Sequence, residues 1–168
     1  MVLKFLHNAL FDEEFKQKLE FIRSISVFSG LGRKEASEIL SIIYEKKYAK
    51  GEIIFEEGKI GKALYIVKEG AVAVSSNGKE ICILHQHDFF GEMVLLEEIT
   101  RSATTMAHTD CTLLLIYKVR FDALIEKDPG AGVRIVRNIA RILSKRLRQS
   151  NQAYMDMLSV PEAPGAQL

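Results

Sequence analysis

A glycine, a glutamate and an arginine lie within one short stretch of this sequence, and together they suit the binding of an anion. Gly91 allows the backbone to adopt positive φ or to approach a ligand closely. The residues after it are suited to a short helical turn whose free N–H groups would point at an anion. Arg101 carries a fork of donors that matches phosphate oxygens, and Glu92 offers an acceptor for a sugar hydroxyl.

The spacing therefore predicts a site for a single negative charge with a hydroxyl beside it. A simpler alternative is a tight turn at Gly91 with a surface ion pair between Glu92 and Arg101.

The segment before residue 50 is predicted to be helical. A first helix carries apolar residues at spacings of four, four and three, namely Phe11, Phe15, Leu19 and Ile22. Two glycines in Ser29–Gly32 break the chain. A second helix follows, and its apolar face is predicted to continue through Ile43 and Tyr44. The N-terminal helices are thus expected to occupy residues 1–49.

Residues 50–118 change to short β-rich runs separated by glycine-containing turns. The predicted strands are Glu52–Phe55, Ala63–Val67, Ala71–Ser75, Glu80–Leu84, Ala103–His108 and Thr112–Lys118. Asn77-Gly78 is a strong hairpin signal because both residues tolerate positive φ. Many short strands at this spacing are typical of a sandwich, jelly roll or barrel. The predicted fold class is α+β, an antiparallel β jelly-roll barrel flanked by N-terminal helices and a long C-terminal helix.

Residues 119–158 return to helical spacing, with a hinge helix before Asp128-Pro129-Gly130 and a long helix from about Ala131 to Met157. One apolar stripe, Ile135, Ile139 and Ile142, suits packing against the barrel. A second stripe has heptad spacing and comprises Val136, Ala140, Leu143, Leu147, Ser150, Tyr154 and Met157. It predicts a homodimer through residues 131–157, and a single helix buried on both sides is the alternative. Residues 159–168 are expected to be disordered.

Composition limits the classes of function. The 168 residues are 48% apolar and 27% charged, and their net charge of +1 indicates neither a nucleic acid nor a membrane as partner. The sequence has neither a membrane-spanning apolar run nor the features of a signal peptide at Met1–Leu10, so we expect a cytoplasmic protein. Cys82 and Cys111 belong to no C-x-x-C pair, which favours two buried free thiols. Neither the polyphosphate-binding loop nor a nucleophile elbow occurs, and no enzyme activity is expected.

The stretch Phe89–Thr104 resembles the phosphate-binding cassette of cyclic nucleotide-binding domains, which has the form F-G-E-x-(small)-L-…-R-(S/A/T)-A-T. The resemblance covers about residues 25–155. It extends to Phe28–Leu31, Lys50–Ile54, Glu57-Gly58, Leu64–Val67, Gly70–Val72 and Thr109–Leu114. The long C-terminal helix is similar to the dimer helix of the bacterial catabolite-activator-like regulators. The resemblance implies a regulatory module that binds cAMP or cGMP and changes its helix and dimer geometry on binding.

The resemblance also implies a role for each matching residue. Arg101 would bind the exocyclic phosphate oxygens, Glu92 would accept from the ribose 2′-hydroxyl, and Ser102 would add a hydroxyl to the phosphate or base. Backbone N–H groups between Gly91 and Leu95 would complete the phosphate cradle. The implied ligand-binding set is Phe90, Gly91, Glu92, Met93, Val94, Leu95, Arg101, Ser102, Ala103, Val74, Cys82 and Leu84, the last three lining the base. Arg146, Leu147 and Ser150 on the long helix would cap the purine.

Two positions depart from the family pattern. Val94 stands where alanine, serine or glycine is usual, and Gln86-His87-Asp88 replaces a glycine-containing turn.

Apart from the nucleotide no cofactor is expected. Catabolite-activator-like regulators add a helix-turn-helix domain after the dimer helix. Residues 159–168 are too few for one, so we expect no direct DNA-binding domain in this sequence. The chain is expected to be either a stand-alone sensor that acts through an unidentified effector protein or a fragment of a longer regulator or kinase subunit.

Two other functions fit parts of the sequence. His85, His87 and Glu92 form H-x-H-x4-E, which resembles the first metal-ligand motif of the cupins, a class of jelly-roll proteins that includes metal-dependent enzymes. The glycines that flank the cupin motif are missing, and a metal site leaves Arg101 unexplained. The second alternative is a ligand-free interaction module of the same fold.

Overall fold

The computed structural model describes residues 2–97 and 100–158, with side chains at 13–97 and 100–156. The helices in this part of the chain are α1 (Val2–Ser24), α2 (Arg33–Ser41), α3 (Lys118–Lys127) and α4 (Pro129–Leu158), with 3₁₀ helices at Ser26–Phe28 and Glu92–Leu95. The strands are β1 (Ile43–Tyr48), β2 (Ile53–Phe55), β3 (Ala63–Glu69), β4 (Val72–Ser76), β5 (Lys79–Leu84), β6 (Phe89–Phe90), β7 (Thr104–Ala107) and β8 (Cys111–Tyr117). The predicted disorder of 159–168 falls outside the described residues.

The strands form two four-stranded sheets in which every pairing is antiparallel. The first sheet has the order β1-β8-β3-β6 and the second has the order β2-β7-β4-β5. The predicted α+β class and jelly-roll architecture are confirmed. The roll is open and not a closed barrel, because the described strands of one sheet do not pair with those of the other.

The central strands β3 and β8 are buried on both faces, which explains why their sequences are almost continuously apolar. Leu113 and Leu115 pack between the sheets. Leu114 and Ile116 point the opposite way, into a core shared with the helices. The helices therefore lie against the outer face of the first sheet. The inner face of the second sheet packs on Leu113 and Leu115 through Val72 and Ala107, and the rest of that face can line a site.

The first strand corrects the prediction that Ile43 and Tyr44 continue a helix. The helix α2 ends at Ser41, and β1 pairs with β8 from Ile43 opposite Ile116 to Tyr48 opposite Cys111. The apolar spacing alone suits a helix, but pairing with a distant, strongly apolar strand overrides it. The β region thus begins before residue 50. The strand β6 was not predicted because its two residues are too few to show a period.

Two of the described turns place a residue other than glycine in the left-handed backbone conformation. The Asn77-Gly78 hairpin between β4 and β5 is confirmed, with φ of 51° and 74°. His87 has φ of 74° although it is not glycine, and its N–H donates to the Val67 carbonyl at 3.0 Å. The Asp88 carboxylate accepts from the His85 N–H at 2.8 Å. These bonds hold the turn in a conformation that glycine adopts at lower cost.

The long helix α4 confirms the first predicted stripe. Ile135 and Ile139 are fully buried in the core that the helices share with the first sheet, and Ile142 is partly buried against the same core. On the second stripe Val136, Leu147 and Tyr154 are exposed, and the Met157 side chain lies outside the described set. No helix in the described segments has the length and apolar content needed to cross a bilayer.

Two glycines with the same backbone conformation allow a matched test of packing at Gly70. Gly58 and Gly70 have φ of 79° and 81°. A Cβ at Gly58 meets no atom within 4 Å, whereas a Cβ at Gly70 would lie 2.3 Å from the Asp110 carbonyl oxygen. We expect Gly58→Ala to lower the free energy of unfolding by about 1–2 kcal/mol. Gly70→Ala should lower it by roughly 3 kcal/mol more, because the clashing atom is backbone.

Urea denaturation followed by circular dichroism measures both values. Equal losses in the two variants would contradict the close approach of Gly70 to Asp110.

Candidate functional site

A cavity of about 480 Å³ lies between the second sheet, the residues around the 3₁₀ helix Glu92–Leu95 and the helix α4. Its lining includes every residue of the predicted ligand-binding set except Leu95: Phe90, Gly91, Glu92, Met93, Val94, Arg101, Ser102, Ala103, Val74, Cys82 and Leu84. Leu95 is buried in the core, and Val94 belongs to that core as well as to the cavity wall. The volume falls within the usual range for small-molecule sites.

The side chain of Arg101 is buried beside this cavity and is held by backbone carbonyls. Its exposed fraction is 8%. Nη2 donates to the Ala63 carbonyl at 2.8 Å, and Nη1 donates to the Gly91 carbonyl at 3.3 Å. The guanidinium carbon lies 4.1 Å from the centre of the Phe55 ring, a cation–π distance. Both bonds use neutral acceptors, so the positive charge of Arg101 remains available to an anion.

Burial lowers the pKa of the Arg101 guanidinium, and the neighbouring Tyr65 and Glu92 act in the opposite direction. Arginine nevertheless stays protonated at neutral pH because its ordinary pKa is so high. Burial also raises the pKa of Tyr65, which stays a neutral phenol against the guanidinium. The result is a fixed cation packed on aromatic rings.

Gly91 is required here by both conformation and space. Its φ is 70°, and a Cβ at this position would lie 2.4 Å from Nη1 of Arg101. A Cβ at Gly61 would lie 3.2 Å from the guanidinium carbon. The arginine therefore packs directly on the backbone at two glycines. The positive φ predicted at Gly91 is confirmed, and the close neighbour of its backbone is the Arg101 guanidinium.

Glu92 forms an ion pair with α4 and not with Arg101. Its side chain is 7% exposed, and Oε1 accepts from Nη1 of Arg146 at 2.6 Å. Nη2 of Arg146 also donates to the Phe89 carbonyl at 3.3 Å. The alternative of a surface ion pair between Glu92 and Arg101 is therefore wrong. The long helix contributes Arg146 and Leu143 to the cavity, whereas Leu147 and Ser150 are not among the lining residues.

The floor of the cavity is a row of side chains across the second sheet. Val74 lies opposite Cys82 on one side and opposite Thr105 on the other, and Thr105 lies opposite Phe55. Paired residues on neighbouring antiparallel strands share a face, so these four side chains point the same way. Cys82 is exposed and Cys111 is buried, so the expectation of two buried thiols holds only for Cys111.

The charged residues of the cavity wall determine which ligand charge it suits. They are Glu92, Arg101 and Arg146 in the described lining, which gives a net charge of +1. A singly charged anion would neutralise this wall, whereas a polyphosphate would leave uncompensated negative charge in a partly buried site.

The metal-site alternative is not supported. The His87 ring packs against the edge of Phe21 at a centroid distance of 4.9 Å. The Glu92 carboxylate forms an ion pair with Arg146. Among the described residues, no group of three His, Cys, Asp or Glu side chains lies close enough together to hold a metal ion. His85, His87 and Glu92 therefore do not form the ligand set that the motif predicts.

Several lining residues were missed by the sequence analysis. They are Phe55, Phe89, Thr100, Thr105 and Leu143. Strand alternation contained a signal for Thr105, because it lies two residues before the buried Ala107 on the same face of β7. Leu143 was assigned to the heptad stripe, and only the placement of α4 shows that it reaches the cavity.

Comparison with known proteins gives a consistent result. The family model described as "Cyclic nucleotide-binding domain" matches residues 45–128. The "Cyclic AMP receptor protein" of Thermus thermophilus is 34% identical over 82% of this chain and 63% of its own length. The "cAMP-dependent protein kinase regulatory subunit" of Schizosaccharomyces pombe is 27% identical over 79% of this chain and 32% of its own length. The chain thus spans less than two thirds of the length of these curated relatives.

Among solved structures, a cyclic nucleotide-binding domain from Methylobacillus flagellatus superposes with a TM-score of 0.74. It covers 90% of this chain and 87% of its own, at 20% identity, so this likeness concerns the fold alone.

The different exposure of the two cysteines allows a test of whether the cavity wall at Cys82 is open to solvent. We expect one thiol of the folded protein, Cys82, to react with a water-soluble disulfide reagent, while the buried Cys111 reacts only after unfolding. Although Cys82 is exposed as a residue, partial burial of its thiol raises the pKa of that thiol. It should therefore react more slowly than a free thiol at neutral pH and accelerate as the pH rises.

Absorbance of the released thiolate measures the rate, and Cys82→Ala should remove the reaction. Two reactive thiols in the native protein would contradict the burial of Cys111.

Proposed function

This chain belongs to the cyclic nucleotide-binding domain family, and we propose that its cavity binds a cyclic nucleoside monophosphate, cAMP or cGMP, as the input of a regulatory module. The observation that carries the proposal is the buried Arg101, whose guanidinium borders the cavity and is held by neutral carbonyls. A cyclic phosphodiester carries a single negative charge, which complements the net charge of the wall.

The arrangement of the cavity supports a specific orientation of the ligand. The phosphate would meet Arg101 and the backbone N–H groups at the start of the 3₁₀ helix Glu92–Leu95, which lack intrahelical partners. The ribose 2′-hydroxyl would donate to Glu92. The base would lie along Val74, Cys82 and Leu84 on the second sheet, beneath α4.

The ion pair between Glu92 and Arg146 supports a route from binding to output. A ribose hydroxyl and the Arg146 guanidinium would compete for the same carboxylate, so nucleotide binding would weaken one of the contacts that hold α4 at the cavity. The residues Val94 and Leu95 share a core with Phe121 and Leu124 of α3. Inward movement of the cassette would therefore also displace α3, which precedes α4, and shift the population of helix arrangements.

We propose that the module acts as a homodimer through residues 131–157. Val136, Leu147 and Tyr154 are large, exposed and spaced for a helix seam. Leu143 belongs to this stripe and lines the cavity as well, so a change at the ligand would reach the dimer interface directly. The dimer would pass the signal to an effector protein in the cytoplasm, where the exposed Cys82 would remain reduced.

Substitution of Arg101 tests the proposed site. We expect Arg101→Gln to weaken binding of cAMP and cGMP by at least about 100-fold, because hydrogen bonds between a buried guanidinium and a phosphate are charge-assisted. Isothermal titration calorimetry measures the dissociation constants of both nucleotides for the wild type and the variant.

Arg137→Gln is a matched control for this experiment. It removes the same charge from an exposed position on α4 that does not line the cavity, and it should leave both dissociation constants unchanged. Equal affinities of Arg101→Gln and the wild type would refute the proposed site.

Substitution of Leu147 tests the proposed dimer. Leu147 is 62% exposed on the stripe, and Leu147→Glu would place two like charges at a seam between two copies. We expect light scattering to show one chain per particle for this variant and two for the wild type. Val119→Glu, at a position that is 78% exposed outside α4, should remain dimeric. A wild type that stays monomeric at high concentration would rule the dimer out.

A further inference from the structure

Thr105 is a buried side chain in the cavity wall that the preceding proposal does not use. It is 1% exposed, and its hydroxyl oxygen has no hydrogen-bond partner among the described residues. A valine would fill nearly the same volume without the free-energy cost of burying an unpaired hydroxyl. The unpaired hydroxyl of Thr105 lowers the stability of the ligand-free protein, and such a group is expected where a bound ligand provides its hydrogen-bond partner.

The position of Thr105 narrows down which part of a ligand it would meet. Thr105 lies between Phe55 and Val74 in the row across the second sheet. Phe55 packs on Arg101 at the phosphate end, with 4.1 Å between the guanidinium carbon and the ring centre. Val74 and Cys82 continue the row towards the proposed base. The threonine therefore borders the purine on its phosphate side.

The phosphate and the ribose of the proposed ligand already have charged partners at the cavity wall. Arg101 suits the phosphate and Glu92 suits the ribose, whereas Val74, Cys82 and Leu84 offer the base only apolar or weakly polar contact. A purine has ring-nitrogen acceptors that lose water on entering such a wall. A threonine hydroxyl donates one hydrogen bond, and a χ1 rotation redirects it without moving the backbone.

We propose that the Thr105 hydroxyl donates a hydrogen bond to a ring nitrogen of the bound purine, so that Thr105 orients the base within the cavity. This inference rests on the proposed function. It adds a polar contact on the strand side of the base, opposite the contacts that α4 supplies.

The test replaces the hydroxyl while keeping the shape of the side chain. We expect Thr105→Val to weaken cAMP binding roughly 5- to 10-fold in calorimetry. The melting temperature of the ligand-free variant should stay the same or rise, because an unpaired buried hydroxyl has been removed. Thr105→Ser keeps the donor and should bind within about 3-fold of the wild type.

Thr112→Val is the matched control, since Thr112 is 5% exposed and lies outside the cavity, with its hydroxyl donating to Glu69 at 3.2 Å. It should leave the affinity unchanged. Analogues then identify the acceptor: the loss caused by Thr105→Val should disappear with whichever of 1-deaza-, 3-deaza- and 7-deaza-cAMP lacks the nitrogen in contact. An equal loss with cAMP and all three analogues would overturn the assignment to the base.

The outcomes separate this inference from the proposed function. A wild type that binds no cyclic nucleotide overturns both. A wild type that binds, together with a Thr105→Val variant of equal affinity, overturns only the role of Thr105.

Discussion

The site depends on the burial of one guanidinium against backbone. Arg101 is held by the carbonyls of Ala63 and Gly91 and by the face of Phe55, so its position is fixed before any anion arrives. A preorganised cation loses little conformational entropy on binding. The cost is strict local geometry, because Gly91 must have positive φ and no side chain where the guanidinium packs. The 3₁₀ helix Glu92–Leu95 begins directly after Gly91, so the bend at Gly91 also positions the side chain of Glu92.

Much of this arrangement was predictable from the sequence, because the local turn and alternation patterns favour the same strands that the packing of the two sheets requires. The glycine turns mark the strand ends, and alternation along the strands identifies their inward faces. The apolar run Leu113–Ile116 is a strand buried on both faces. Gly91, Glu92 and Arg101 line one cavity, as their types and spacing led us to expect, and their roles in binding stay predictions. The match of the family model to residues 45–128 agrees with the resemblance identified from the sequence.

The sequence could not predict features that depend on distant partners. Ile43 and Tyr44 fit a helix until β8 is available to pair with them. The partner of Glu92 is Arg146, which is 54 residues away, and no local rule chooses it over Arg101. His87 keeps the positive φ that glycine would adopt, because neighbouring backbone bonds hold the turn. In each case a contact between segments far apart in the chain decided the outcome.

The proposed competition of ribose and Arg146 for the Glu92 carboxylate would have a thermodynamic consequence. If ribose and Arg146 draw on the same oxygen atoms, nucleotide affinity and helix docking are linked, and the linkage is reciprocal. An effector that favours the undocked helix would tighten nucleotide binding by the same factor by which the nucleotide tightens effector binding. An effector that clamps the helix in place would act as an antagonist without entering the cavity. The sensitivity of the module to its messenger is then set partly by the proteins it meets.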